Sequence, residues 1–343
     1  MRLILFIYAI LFVGQIYAQK SDFKHLDFKK ADSIALAYKD ASLHNLSRLS
    51  YQLTSDLNTD AEKFRAIYKW VCTNIANDYS QYSKNKRKRY KLKDDSLELN
   101  GWNTSFRKIA FRKLVKDHKA TCTGYAYLVK ELSKYAKLEC EMVNGYARTG
   151  NTDIEKMIAP NHSWNAIKLK GKWYLCDPTW ASGIQDPETL QFVFKYNDGF
   201  FLTQPKLFAV NHHPEDSKWL LFDQHQPTYQ DFIDAPILYG EAYNMLSNHD
   251  LPNQMHQDVL KHETIIFKFE LQTVIDAKKV HFLIDNGHKL MKATPKQINL
   301  KNKQLTLEHS FSSTGFYDLH VFVGDDIIST YTFKVTRPSK AKP

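Results

Sequence analysis

Between Phe23 and Ala76 apolar residues recur at three- and four-residue spacing, around Ile34, Ala35, Leu36 and Ala37 and again at Phe64, Ile67, Trp70 and Val71. That period predicts helices, each burying one face. Thr59 followed three positions later by Glu62 gives the stretch TDAEKFRAIYKWV a helix-start signature. Another helical pattern starts near Cys122, with Gly124 and then Ala126, Leu128, Val129, Leu132, Tyr135 and Ala136 on its apolar series. From Ser163 the reading changes to strands: Ser163 to Leu169, a turn at Lys170 and Gly171, and a return over Lys172 to Cys176. A two-residue turn sets Trp164 opposite Asp177 and points His162 to the same face two positions further along.

The last third of the chain is patterned differently. Beyond the polar stretch SNHDLPNQMHQD lie alternating or β-branched runs at Thr264 to Gln272, Lys279 to Asp285, Gln304 to Phe311, Tyr317 to Gly324 and Ser329 to Val335. Short strands separated by turns favour an all-β immunoglobulin-like sandwich over residues 261–338. Residues 19–250 form the preceding domain, with Gln204 to Asp250 belonging to it or strapping it. At the start of the chain, Arg2, the apolar run LILFIYAILFVG and the small-residue site at Ile16 to Ala18 read as a signal peptide over residues 1–18. The expectation is export, periplasmic or secreted, with no transmembrane domain in the mature chain.

Composition narrows the partners. With 43% hydrophobic and 13% aromatic residues the chain reads as globular, and its net charge of +10 favours acidic partners. The run KNKRKRYKLK, Lys84 to Lys93, reads as a solvated loop. Nucleic acid is not expected, since no recognition motif accompanies the run and the chain is read as exported. The expected partners are a protein or peptide substrate, acidic in character, and a component of the cell envelope. Four cysteines in 343 residues do not describe a disulfide scaffold. Cys72 and Cys140 read as packed thiols, with a pair between them left open. No compact metal-ligand spacing occurs, so neither metal nor cofactor is expected. The adjacent His212 and His213 read as surface or interface residues.

Candidate chemistry rests on Cys122, His162 and Asp177. A neighbouring imidazole can draw a thiol's pKa from about 8.5 into the range of roughly 3.5 to 7.5. A carboxylate on the far ring nitrogen fixes the tautomer and orientation of the histidine. A thiolate at the start of a helix also meets the positive end of the helix dipole.

The segments CTGYA at Cys122 to Ala126, NGYAR at Asn144 to Arg148, HSWNAI at His162 to Ile167 and DPTW at Asp177 to Trp180 resemble the transglutaminase-like superfamily, in its kyphoscoliosis-peptidase-like branch. The matching core runs from about Leu53 to Trp180, and the stretch Phe201 to Phe222 looks like the segment that follows it in this branch. The resemblance implies a papain-like α+β catalytic core, with Cys122 as nucleophile, His162 as general base and acid, and Asp177 as orienting residue. Ser163, where alanine is common, and Cys176, where an aliphatic residue is common, depart from the pattern.

Attack on a carbonyl also needs donors for the developing oxyanion. The Cys122 amide is the first candidate; Trp102, Asn103 and Gln81 are candidates for the second. Tyr125, Trp164 and Trp180 are candidates for lining a substrate cleft. The resulting expectation is an exported cysteine-dependent peptidase or amidase working through a Cys-His-Asp triad and a thioester. The alternatives are a protein-glutamine transglutaminase or a catalytically silent envelope binding or scaffold protein.

Overall fold

A computed structural model describes residues 20–157 and 159–338. The expected signal peptide lies outside the described residues. A helical region leads, a small antiparallel sheet follows, and the C-terminal part is rich in strands.

Helices α1 (Lys29–Ala37), α2 (Leu46–Thr54) and α3 (Asp60–Asn74) open the chain. The start of α3 is the capping box that the sequence announced. The Glu62 amide donates to the Thr59 hydroxyl at 3.2 Å, and the Thr59 amide donates to the Glu62 carboxylate at 3.0 Å. The buried face of α3 holds Phe64, Ile67, Tyr68, Trp70 and Val71. Its Arg65 sits between the carboxylates of Asp32 and Asp198, pinning α3 to α1 and to a later loop.

Two short strands, β1 (Ala76–Asn77) and β2 (Lys119–Ala120), pair in parallel. Between them the chain makes an excursion through α4 (Tyr79–Lys91) and α5 (Ser96–Asp117). The basic run read as a loop is therefore mostly helical. Asp78 and Asp95 cap the two helices by accepting the amides of Gln81 and Glu98 at 2.9 Å each. Helix α6 (Cys122–Tyr135) then enters the core, burying Tyr125, Ala126, Leu128, Val129 and Leu132.

α6 packs on a sheet built from β3 (Cys140–Ala147), β4 (His162–Leu169) and β5 (Lys172–Cys176). The β4–β5 register pairs Leu169 with Lys172 and Asn165 with Cys176, as the two-residue turn requires. Lys170 and Gly171 both take positive φ, 50° and 79°, which suits the twist of a tight hairpin. After β5 come α7 (Pro178–Ser182), the ribbon of β6 (Gly183–Gln185) and β7 (Phe192–Phe194), and α8 (Pro205–Asn211). Strand β8 (His212–Pro214) then pairs with the free edge of β3, completing the order β5-β4-β3-β8. Gly145 of β3 permits this approach: a Cβ there would stand 2.3 Å from the His213 carbonyl and 2.5 Å from the Trp164 ring.

The segment beyond β8 is tied back by buried polar groups. The Arg148 guanidinium donates to the carbonyls of Ile233, Ala235 and Pro236. The Asn211 amide donates to the carbonyls of Arg148 and Leu238 at 2.9 Å each. The C-terminal strands form two sheets, one of four strands and one of six. Phe267 of one sheet meets Phe282, Tyr331 and Phe333 of the other. The polar stretch read as a connection supplies two of these strands. Leu246–Leu251 pairs with Ile265–Leu271, and His256–Leu260 runs parallel to Asp326–Thr336. A groove of about 530 Å³ lies where the helical part meets these sheets, with Lys20, Asp198, Gln204, Asn244, Gln272 and Lys303 on its walls.

Candidate functional site

Asp177 stands one residue past β5 and caps the five-residue helix α7. Its Oδ1 accepts the amides of Thr179 at 2.8 Å and Trp180 at 3.0 Å. Pro178 at the first helical position fits, having no amide to satisfy. The Asp177 backbone is itself fixed: its amide donates to the Phe200 carbonyl, and its carbonyl accepts from the Tyr68 hydroxyl at 2.9 Å. The carboxylate is therefore aimed before any functional partner is considered.

Two imidazoles meet the other oxygen. His162 Nε2 lies 2.6 Å and His212 Nε2 lies 3.1 Å from Asp177 Oδ2. β4 supplies His162 through the hairpin register, and β8 supplies His212 by pairing Ala147 with His212 across β3. The His212 ring stacks on Phe208 at 3.9 Å and lies 4.4 Å from Trp180 and 5.2 Å from Trp164. Sequence reasoning put His212 at a surface or interface; it is buried at the centre of the site. No local signal placed it: the alternation that turns His212 inward and leaves His213 half-buried follows from the pairing of β8 with β3.

The electrostatics of the cluster follow from this sharing. Burial pushes the Asp177 carboxyl up, but His162 and then His212 outweigh it and hold the group well below the usual carboxylate range. Burial opposes charge on His162, yet the Asp177 carboxylate, and the Cys122 thiol on the other side, raise its pKa. Burial pushes His212 down; Asp177 opposes this and His162 reinforces it. The shared carboxylate oxygen thus favours the charged form of His162, while burial and the neighbouring imidazole disfavour charge on His212.

All four cysteines are free and buried, so Cys72 and Cys140 are not paired. Burial raises the thiols of Cys72 and Cys176, and pushes that of Cys140 up to about 12. Cys122 differs: burial would raise it, but a hydrogen bond and the charge of His162 lower it. Its residue retains only 8% exposure.

These observations correct the functional expectation. The compact group at the site is His162, Asp177 and His212, whose ligand atoms lie within 4.8 Å of one another; Cys122 is not a member of it. With the carboxylate shared by two histidines and every cysteine buried, the reading as a cysteine peptidase or amidase, and with it hydrolase and acyltransferase chemistry through a Cys-His-Asp triad, is not sustained.

The other sequence candidates scatter. Tyr125 is buried, and its hydroxyl donates to the Ile75 carbonyl. Trp164 is fully buried, its indole N–H without a partner among the described residues, and half-buried Trp180 packs 5.4 Å from His162. Trp102 and Asn103 belong to α5, where the Trp102 indole donates to Asn85 of α4 at 2.9 Å. Gln81 is buried in the first turn of α4, and neither polar atom of its amide has a partner among the described residues. Two imidazole nitrogens and a carboxylate oxygen are a donor set that suits a zinc ion. In the present geometry those atoms are spent on hydrogen bonds to one another, so a cation would have to break both contacts to Asp177.

The helical region, the sheet and the His162 and Asp177 segments together define a class. Residues 47–178 match the sequence profile of the transglutaminase-like superfamily, and the chain belongs to that superfamily. Within it the similarity runs to the kyphoscoliosis peptidase branch. The mouse kyphoscoliosis peptidase is 30% identical over 274 residues, covering 77% of this chain and 38% of that protein. The human protein is 32% identical over 208 residues, covering 60% of this chain and 28% of its own length. Hillarin of Drosophila melanogaster is 23% identical over 228 residues, covering 62% and 25%. The chain thus spans well under half the length of these relatives.

Proposed function

We propose that this chain is a catalytically silent binding or scaffold protein of the cell envelope, carried on a transglutaminase-like core. One observation carries the reading: Asp177 is saturated. Two backbone amides fill one carboxylate oxygen and two imidazoles fill the other, inside a buried aromatic surround. A cluster so closed stabilises the junction of β4, β5 and β8, because a buried carboxylate with all its acceptor positions used is costly to disturb. The helix α6 laid on an antiparallel sheet supports a papain-like arrangement, and the two C-terminal sheets support an immunoglobulin-like sandwich. We read the helical region with its small sheet, and the C-terminal sheets, as the corresponding domains, the second taking in the strands Leu246–Leu251 and His256–Leu260 that lie ahead of residue 261, and residues 1–18 as the export signal.

The groove of about 530 Å³ between the helical part and the C-terminal sheets has the size of a ligand site, and a junction of this kind is a common place for one. The test is intact-protein mass spectrometry after exposure to a small electrophile, with Cys122→Ala and His162→Ala alongside. The expected result is labelling of Cys122 no faster than that of an ordinary shielded thiol. Rapid labelling at Cys122 that is lost in His162→Ala would overturn the proposal.

A further inference from the structure

The α4–α5 hairpin is charged and covered unlike the rest of the molecule. From Lys84 to Asp117 it carries twelve Lys or Arg residues against four Asp or Glu, a net +8 of the chain's +10. The remainder is close to balanced. Of the twelve cations, Lys113 is ion-paired, with Asp78 at 2.6 Å; the other eleven make no ion pair among the described residues. α5 runs for 22 residues and buries Leu114 alone.

The exposed side of the hairpin is not purely polar. Leu97 is 82% exposed, Phe111 52%, Tyr90 46% and Ile109 45%. On α5, Lys108, Phe111 and Arg112 fall on one face at helical spacing, with Leu97 and Thr104 further along it. Ile109 and Lys116, both exposed, flank that face. Leu92 and Trp102, by contrast, are half-buried, and the Trp102 ring stacks on Phe106 of its own helix. Phe111 meets Tyr127 of α6 edge-on at 6.4 Å, while Leu97 and Ile109 are additional to the side chains that hold the hairpin together.

We propose that the outer face of this hairpin docks on an anionic lipid surface. Cations interleaved with exposed aliphatic and aromatic side chains suit the boundary between head groups and acyl chains: the cations meet the lipid charge, and Leu97, Ile109 and Phe111 enter the apolar edge. A nucleic acid would use the cations but has no use for exposed leucine and isoleucine. Among the described residues no helix is long and apolar enough to cross a membrane, so the contact is one of adsorption. The inference goes beyond the binding reading above and does not depend on the closed His-Asp-His cluster.

The experiment is co-sedimentation of the full chain with vesicles of phosphatidylcholine alone or with roughly a third of phosphatidylglycerol, at about 0.1 M salt. The anionic-to-neutral binding ratio is the readout, compared between wild type and variants that share the same N-terminal run Leu3 to Gly14. The expected ratio is about tenfold or more. It should fall to near unity when Lys86→Glu, Arg87→Glu, Lys108→Glu and Arg112→Glu are combined. Ile109→Ser with Phe111→Ser should lower binding to anionic vesicles severalfold while leaving the charge intact. All these positions are exposed, and an unchanged thermal melt confirms that each variant folds. Equal binding to both vesicle types, a ratio that survives charge reversal, or capture by polyglutamate without binding to anionic vesicles would each overturn the proposal.

Discussion

Helices α5 and α6 follow one another in the chain and are made in opposite ways. α6 is 14 residues long and buries half of them, including Cys122 at its first position. α5 is longer, and tertiary packing claims one residue of it. α6 is therefore located by the core: its depth and rotation are set by side chains fitted against β3 and β4, which is why the residue at its start is held to a fixed place. α5 is held by its cap, by α4 and by its C-terminal end, and its outer face answers to solvent or to a partner. A helix in this protein can be conserved in position by packing or left free by charge, and the site and the arm are the two outcomes.

The largest expected effect lies at the carboxylate on which the core side of this comparison converges. Asp177→Ala removes the buried carboxylate that two imidazoles share and uncaps α7. A loss of about 3–5 kcal/mol is expected. Urea unfolding of this variant beside wild type checks it; a loss comparable to that of a surface substitution would show that the cluster does not hold the junction. Leu132→Ala, at a fully buried position of α6, should cost about 2–5 kcal/mol by the same measurement. Gly145→Ala comes next, expected to cost about 1–3 kcal/mol because the added methyl meets backbone of β8 as well as the Trp164 ring. Its specific signature would be weakened protection of the β3–β8 amides in hydrogen exchange.

A pH series separates the two histidines. His162 has its folded pKa raised, so its contribution to stability is fully present below the unfolded value of about 6.5 and is lost as pH rises through the folded value. Asp177 is depressed and contributes above its unfolded value of about 3.9, losing that contribution as acid approaches the folded value. His212 is also depressed, but as a base: folding disfavours its protonation, so it weakens the fold as pH falls below about 6.5. The urea midpoint of wild type should therefore decline from neutral to alkaline pH, and His162→Gln should flatten that decline. An alkaline limb of equal slope in both proteins would remove His162 as its source.

How much of this was legible in the sequence follows the same division between local and distant causes. The β4–β5 hairpin and its register were readable because a two-residue turn with Gly171 fixes pairing over a few residues, and that alone brought His162 beside Asp177. The capping box at Thr59 and Glu62 was readable for the same reason. His212 was not, because its inward turn depends on β8 finding the edge of β3 some 65 residues earlier, and nothing within NHHP encodes that edge. The basic run at Lys84 to Lys93 was read as a loop because its charge hid helix formers: lysine and arginine favour helix, and Asp78 supplies the cap. The strands at Leu246–Leu251 and His256–Leu260 were missed because their polar residues lie in register with neighbours whose apolar faces do the packing.

The smallest expected effect tests the arm side of the comparison. Leu97→Ala and Ile109→Ala each remove an aliphatic side chain from α5 at a place where it rests on nothing in the core. Little apolar surface is lost from burial, and alanine favours helix at least as well as either residue, so each change should fall within about 0.5 kcal/mol of wild type. The same deletion from α6, at Leu132, is several times more costly because it leaves a cavity inside the core cluster to which this side chain belongs. Urea midpoints of the three single variants measured together decide it. If Ile109→Ala destabilised as much as Leu132→Ala, the outer face of α5 would be part of the packed fold, and the contrast between a helix fixed by the core and a helix left open by charge would fail.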